Sequence, residues 1–105
     1  MECWVLENSY HRTTVLKHSG WGNGYVMVDP THPLYGMHYD DISYNQIKVH
    51  GGLTYSTKDS ESEGWVFGFH TSNWDDRIEQ WPKEVVIEET KRLMAQLMGM
   101  EIGDF

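Results

Sequence analysis

An amphipathic helical pattern near the C-terminal end constrains this chain most. Pro82 suits the first turn of such a helix, and Glu84 favours the positive end of the helix dipole. Glu88 is expected to pair with Arg92 four residues on, and Gly99 is expected to end the helix. One stripe at 3.6-residue spacing predicts the buried side of the helix: Val86, Thr90, Leu93 and Leu97.

Short apolar segments separated by turn residues precede this helix and predict strands. The clearest is 65–70, where Trp65, Phe67 and Phe69 alternate onto one face that is expected to be core. Further strands are predicted at 3–6, 13–17, 24–28, 47–50 and 53–56, and the polar segment 58–64 is predicted to join two of them. Because the strands come first and the helix last, we expect a single α+β domain over residues 1–105. A small antiparallel sheet would carry the amphipathic helix on one face.

The charge of the chain is strongly acidic and unevenly distributed. The net charge is −8, with a net of −1 in residues 1–58 and −7 in residues 59–105. Direct binding to nucleic acid is not expected, because phosphate binding needs clustered Lys and Arg. The acidic half predicts either a solvated surface or a face that docks on a basic protein groove. Its candidate residues are Asp75, Asp76, Glu79, Glu84, Glu88 and Glu89, where Asp75-Asp76 is alternatively the cap of a short helical turn.

The expected compartment is the cytoplasm. Cys3 is the only cysteine, so no disulfide can form within the chain, as is typical of a reducing environment. The first residues contain no cationic segment followed by an apolar stretch, which predicts no secretory signal. No apolar run approaches the roughly 20 residues that span a bilayer, so no membrane association is expected.

The middle third of the chain is rich in glycine, histidine and aspartate. The irregular segment 30–46 is unusually long for so small a domain, and such loops are often functional. The candidate ligand-binding residues of this region are His38, Asp40, Asp41, His50, Gly51, Gly52, Tyr55 and His70. Histidine and aspartate are also metal ligands, but their spacing here is not diagnostic, so metal and cofactor both stay unknown.

The local motif that most strongly suggests a site is His50-Gly51-Gly52. Paired glycines expose backbone N–H groups and let a ligand approach the chain closely. The alternative is a strand bulge that packs under the neighbouring aromatic strand.

Catalysis is the second possibility for these residues. His50 or His70, beside Asp40 or Asp41, would activate a water molecule for hydrolysis. The sequence contains no Gly-x-Ser-x-Gly, phosphate loop or His-Glu-x-x-His motif. It therefore leaves enzymatic activity open and favours binding.

Several short segments in combination resemble a group of small uncharacterised proteins encoded by phages and prophages, over roughly residues 24–97. The segments are His32-Pro33-Leu34-Tyr35-Gly36, Tyr39-Asp40-Asp41, Val49-His50-Gly51-Gly52-Leu53-Thr54-Tyr55, Trp65-Val66-Phe67-Gly68-Phe69 and Glu88-Glu89-Thr90. The chain departs from the group after Phe69, where His70-Thr71-Ser72-Asn73 replaces a run of Asp, Cys, Ala and His. The resemblance implies a phage origin and a shared site but no established activity.

The first functional hypothesis is a phage-type accessory protein that acts by binding. Its partner would be a host or anti-phage defence protein, inhibited in the manner of an anti-CRISPR protein, or a small ligand that is sequestered. The alternative is a small metal-assisted or His/Asp hydrolase acting on a nucleotide or other phosphoester. A structural domain of a virion or of a homo-oligomer is the third hypothesis.

Overall fold

The computed structural model describes residues 1–8 and 19–102 of the chain. Its elements are β1 (Glu2–Glu7), β2 (Gly22–Val28), β3 (Tyr55–Lys58), β4 (Trp65–Phe69) and α1 (Lys83–Ile102). The strands form one antiparallel sheet in the order β1-β2-β4-β3, and α1 packs against β1 and β2. The predicted α+β fold is confirmed, while the strand predicted at 13–17 lies outside the described residues.

The core lies between α1 and one face of the sheet. The predicted helical stripe of Val86, Thr90, Leu93 and Leu97 is at most 1% exposed. Phe67 and Phe69 of β4 are equally buried, as their alternation predicts. At Gly24 in β2 the helix comes so close that a Cβ atom would collide with the Thr90 hydroxyl.

The C-terminal end of α1 differs from the prediction. The helix continues through Gly99 to Ile102 instead of ending at the glycine. Met94 and Met100 pack against the core on either side of this point. Their burial favours continued helix over a cap, and Gly99 lies within the helix on its exposed side.

The segment 47–50 was predicted as a strand and is not one. Ile47 and Val49 are buried, and this alternation is what resembles a strand. The backbone is instead hydrogen-bonded by a helix side chain, because the amide group of Gln96 accepts from Lys48 N–H at 2.8 Å and donates to its carbonyl at 2.9 Å. The adjacent strand begins at Tyr55, two residues later than predicted.

The segment 30–46 is irregular, as predicted, and a buried histidine holds it against the helix. His32 is 3% exposed. Its Nδ1 accepts from Leu34 N–H at 3.0 Å, so Nε2 carries the hydrogen and donates to the Leu97 carbonyl at 2.8 Å. This histidine is therefore a structural link between loop and helix.

Within the part of the chain that the structure describes, no helix has both the length and the apolar character needed to cross a bilayer.

Candidate functional site

A buried carboxylate organises the loop between β4 and α1. Asp76 is only 3% exposed. One of its oxygens accepts a hydrogen bond from His50 Nε2 at 2.7 Å, and the other accepts from the backbone N–H and the side-chain Nδ2 of Asn73, both at 2.8 Å. A buried charge is tolerated only with such partners. We call His50, Asn73 and Asp76 the Asp76 cluster.

His50 contacts Asp76, Trp81 and Glu89, and its side chain remains partly exposed. Its ring packs against Trp81 with centroids 4.0 Å apart, and its backbone N–H donates to Glu89 Oε2 at 2.8 Å. Because Nε2 donates to Asp76, Nδ1 of the neutral ring carries the lone pair. No described residue hydrogen-bonds this nitrogen, and the side chain is 25% exposed. His50 Nδ1 can therefore accept a proton or a hydrogen bond from a ligand.

The Gly51-Gly52 pair forms a tight turn and not a strand bulge, which was one of the two alternatives for this motif. Both glycines have positive φ, +71° and +78°, and the N–H of Gly52 donates to the Val49 carbonyl at 2.8 Å. Gly51 also packs closely on Asn73, whose Nδ2 would lie 2.7 Å from a Cβ atom. The turn thus brings the backbone directly against the Asp76 cluster.

His70 lies at the edge of the same cluster. Its carbonyl accepts from Asn73 Nδ2 at 3.3 Å, and its Nδ1 accepts from the N–H of Ser72 at 3.2 Å. Partial burial lowers the pKa of His70, and the nearby His50 lowers it further, while the charge of Asp76 opposes both effects. The neutral ring is therefore favoured at this position.

Glu89 joins the cluster to the helix. Partial burial alone would raise the pKa of its carboxyl group, but the hydrogen bonds from Arg92 and from His50 N–H outweigh that effect and lower it. Arg92 contacts both carboxylate oxygens, at 2.7 and 2.8 Å. The helix ion pair is therefore Glu89–Arg92 and not the predicted Glu88–Arg92.

His38, Asp40 and Asp41 form a separate local structure. Asp40 and Asp41 belong to a 3-10 helix, Tyr39–Asp41, and His38 caps its N-terminus: His38 Nδ1 accepts from Asp40 N–H at 3.2 Å and the His38 carbonyl accepts from Asp41 N–H at 3.0 Å. All three side chains are exposed. These hydrogen bonds join residues 38–41 to one another. His50 contacts the carboxylate of Asp76, and not that of Asp40 or Asp41 as predicted.

Tyr55, another predicted ligand-binding residue, lies on β3, where its ring contacts Tyr25 edge to face at a centroid distance of 5.6 Å. Of the eight predicted ligand-binding residues, the structure brings His50, Gly51, Gly52 and His70 together around Asp76.

The residues predicted for the acidic docking face divide into two groups. Asp76 is buried and the Glu89 side chain is only 12% exposed in its ion pair, so neither is freely presented to a partner. The exposed members are Asp75, Glu79, Glu84 and Glu88. Trp74 directly precedes Asp75 in the chain and is 94% exposed. We call Trp74 and these four acidic residues the Trp74 surface.

A shallow groove of about 460 Å³ lies beside Glu88 on α1. Trp81 and Val85 give it an apolar base, and Val85 is 38% exposed. Trp81 is shared, because the His50 ring packs against it. The groove therefore contains both Glu88 and the tryptophan that packs against His50.

Sequence reasoning missed Asn73, Trp74 and Trp81 as functional candidates. For Asn73 the available signal was the Asn73-x-x-Asp76 spacing, which is typical of a side-chain-capped turn. In the described residues, no group of three or more His, Cys, Asp or Glu side chains is arranged to hold a metal ion.

No family model, curated protein or solved structure matches this chain. Functional inference consequently rests on the geometry of the molecule.

Proposed function

We propose that this chain is a phage-type accessory protein that acts by binding a host or anti-phage defence protein. The observation that carries the proposal is the 94% exposure of Trp74, which directly precedes the exposed Asp75 in the chain. Tryptophan is among the residues that most often dominate binding energy at protein interfaces, because it buries a large area in a partner pocket. The acidic neighbours favour a partner with a basic rim around that pocket.

The charge distribution supports a protein partner. Residues 59–105 carry a net charge of −7, and the Trp74 surface belongs to this half. Complementary charge accelerates association and excludes partners of the same sign. The groove at Trp81 and Val85 offers further contact area, and its rim carries both acidic and basic side chains, from Glu88, Glu89, Lys91 and Arg92.

The test compares two aromatic substitutions in an immobilised chain exposed to a lysate of the bacterial host. Trp74→Ala is expected to lose a protein that the unmodified chain captures, and to weaken binding of the purified partner by about tenfold or more. Tyr44→Ala removes another exposed aromatic, 59% accessible, and is expected to retain the partner. Equal capture by both variants, or no captured protein at all, would refute the proposal.

A second candidate function is a His/Asp hydrolase acting on a nucleotide or other phosphoester. The observation that favours it is the 2.7 Å contact between His50 Nε2 and the buried Asp76, with Nδ1 accessible. Nδ1 would accept a proton from water as the water oxygen bonds to phosphorus, and the ester oxygen would leave and take up that proton. Asp76 would orient the ring and stabilise its protonated form.

Turnover assays distinguish this candidate from the first. With bis(p-nitrophenyl) phosphate and a nucleotide panel, with and without added Mg²⁺ or Zn²⁺, His50→Gln and Asp76→Asn are expected to abolish hydrolysis. Glu61→Gln removes an exposed charge elsewhere and should leave the rate unchanged. Absence of turnover under all these conditions excludes hydrolysis of these substrates.

A further inference from the structure

The sheet face opposite the core carries a row of aromatic side chains. Trp4 lies opposite Tyr25 in the β1–β2 register, Tyr25 lies opposite Gly68 in β2–β4, and Gly68 lies opposite Tyr55 in β3–β4. The row therefore crosses the four strands of the described residues at one level, with a glycine at its third position. Since side chains alternate along a strand, these residues share the face that points away from Phe67 and Phe69.

Gly68 provides room for the ring of Tyr25. A Cβ atom at this glycine would lie 2.7 Å from Cδ1 and 2.9 Å from Cε1 of Tyr25. The tyrosine ring thus leans across β4, with Trp4 stacked beside it at 5.7 Å and 21° and Tyr55 meeting it edge to face at 81°. These contacts hold the aromatic surface in a defined orientation.

An open groove of about 420 Å³ lies along this row. This volume is within the range of small-molecule sites, roughly 300–1,000 Å³. Tyr55 is 45% exposed and Leu6 is 54% exposed, and no described helix packs over the groove because α1 lies on the other face. The remaining lining residues are the apolar Val66 and four that add polar groups: Thr57, Lys58, Asp59 and Ser60.

The charges around the groove disfavour an anionic ligand. The Lys58 ammonium group donates to the Ser62 carbonyl at 2.8 Å and approaches Glu63 at 3.9 Å, so it is already engaged. Asp59 adds a negative charge to the rim, and the exposed Glu2 shares the face of Trp4 and Leu6 on β1.

We propose that this groove binds a neutral or cationic planar heteroaromatic ring of nucleobase size, stacked in the Tyr25–Tyr55 corner. Aromatic side chains on an open sheet are effective stacking platforms, because every such ring presents a π face. The acidic rim selects against phosphorylated ligands and favours a cation over the rings. This site is distinct from the Trp74 surface and does not depend on the function proposed for it.

The experiment measures binding of three probes that differ in charge, using calorimetry and saturation-transfer NMR. Adenosine is neutral, 1-methylnicotinamide is cationic and AMP is anionic. Adenosine and 1-methylnicotinamide are expected to bind saturably, and AMP at least several-fold more weakly than adenosine at low salt. Failure of both favoured probes to bind, or tighter binding of AMP than of adenosine, would overturn the proposal.

Two substitutions locate the site. Tyr25→Leu and Tyr55→Leu keep apolar bulk but remove the stacking ring, and each is expected to weaken adenosine binding by about five- to a hundredfold. Tyr44→Leu is the matched control and should bind as the unmodified chain does. Thermal melting confirms that the variants fold. Unchanged binding in Tyr55→Leu, which replaces an exposed side chain and has little effect on folding, would contradict the assignment.

Sedimentation tests the competing occupant, a second copy of the chain. We expect the sedimentation coefficient to be the same for the unmodified chain and for Tyr55→Leu. A dimer that dissociates in Tyr55→Leu would assign the aromatic face to self-association and overturn the ligand proposal.

Discussion

Asp76 and Asp75 are neighbours in sequence with opposite roles in the structure. Asp75 is exposed, whereas Asp76 is buried beneath His50 and Asn73. The difference arises because the turn at Asn73 directs the second carboxylate inward, where it accepts both the N–H and the Nδ2 hydrogens of that residue. Asp76 belongs to the cluster and Asp75 to the surface because of their positions in the turn, and not because of their residue type.

The two glycines beside His50 provide a matched pair of substitutions. Both have positive φ, so alanine is strained at either position by about 1 kcal/mol. Only at Gly51 would the added Cβ also press on Asn73, at 2.7 Å; at Gly52 it meets nothing within 4 Å. We expect Gly51→Ala to lower the free energy of unfolding more than Gly52→Ala does, as measured by urea denaturation. Equal losses would show that Asn73 moves aside without cost.

His70 predicts a loss of stability at acidic pH. Its pKa is lowered in the folded protein, mainly by burial, so folding disfavours protonation of the ring. The resulting stabilisation is complete above the unfolded pKa, about 6.5, and is lost as pH falls below that value. Between about pH 7.5 and about pH 5.5 we expect the unmodified chain to lose more stability than His70→Gln, which does not titrate. Parallel pH profiles of the melting temperature would contradict this.

At the scale of elements, the periodicity of the sequence predicted most of the fold. The helical stripe and the alternation in β4 both depend on residues within one element, so local pattern identifies them. The segment 47–50 has the same inward alternation, yet its backbone partners come from Gln96, almost fifty residues away. The His50–Asp76 pair was missed for the same reason: it joins loops separated by 26 residues, and no local pattern encodes that contact.

Gln96 provides a test of how α1 holds this segment. Gln96→Ala removes both hydrogen bonds to the Lys48 backbone; because both are exposed, water replaces them and the cost is about 0.5–1.5 kcal/mol for each bond. We expect faster amide hydrogen exchange at Lys48 and a lower free energy of unfolding. Lys91→Ala, an exposed position on the same helix, is the control. Unchanged exchange at Lys48 would mean that burial of Ile47 and Val49 alone holds the segment.

For the molecule as a whole, the acidic half of the sequence and the candidate site around His50 are not spatially separate. Residues 1–58 carry a net charge of −1 and residues 59–105 a net charge of −7, which suggested a pocket distinct from a docking face. The fold brings the two regions together, since Asp76 and Glu89 of the acidic half both accept hydrogen bonds from His50. The acidic charge that stays exposed is carried in part by the Trp74 surface, next to the groove at Trp81.

The net charge of −8 makes the stability of the whole molecule depend on salt. Repulsion among like charges destabilises a compact state, and screening over about 10 Å at 0.1 M salt weakens it. We therefore expect the melting temperature to rise as NaCl increases from about 0.02 to about 0.2 M. Asp75→Asn combined with Glu79→Gln removes two exposed acidic charges and should reduce this rise, because less repulsion remains to be screened. Glucose at matched osmolality controls for effects other than screening. A melting temperature that falls with salt would instead show that favourable ion pairs, such as Glu89–Arg92, outweigh the repulsion across the acidic half.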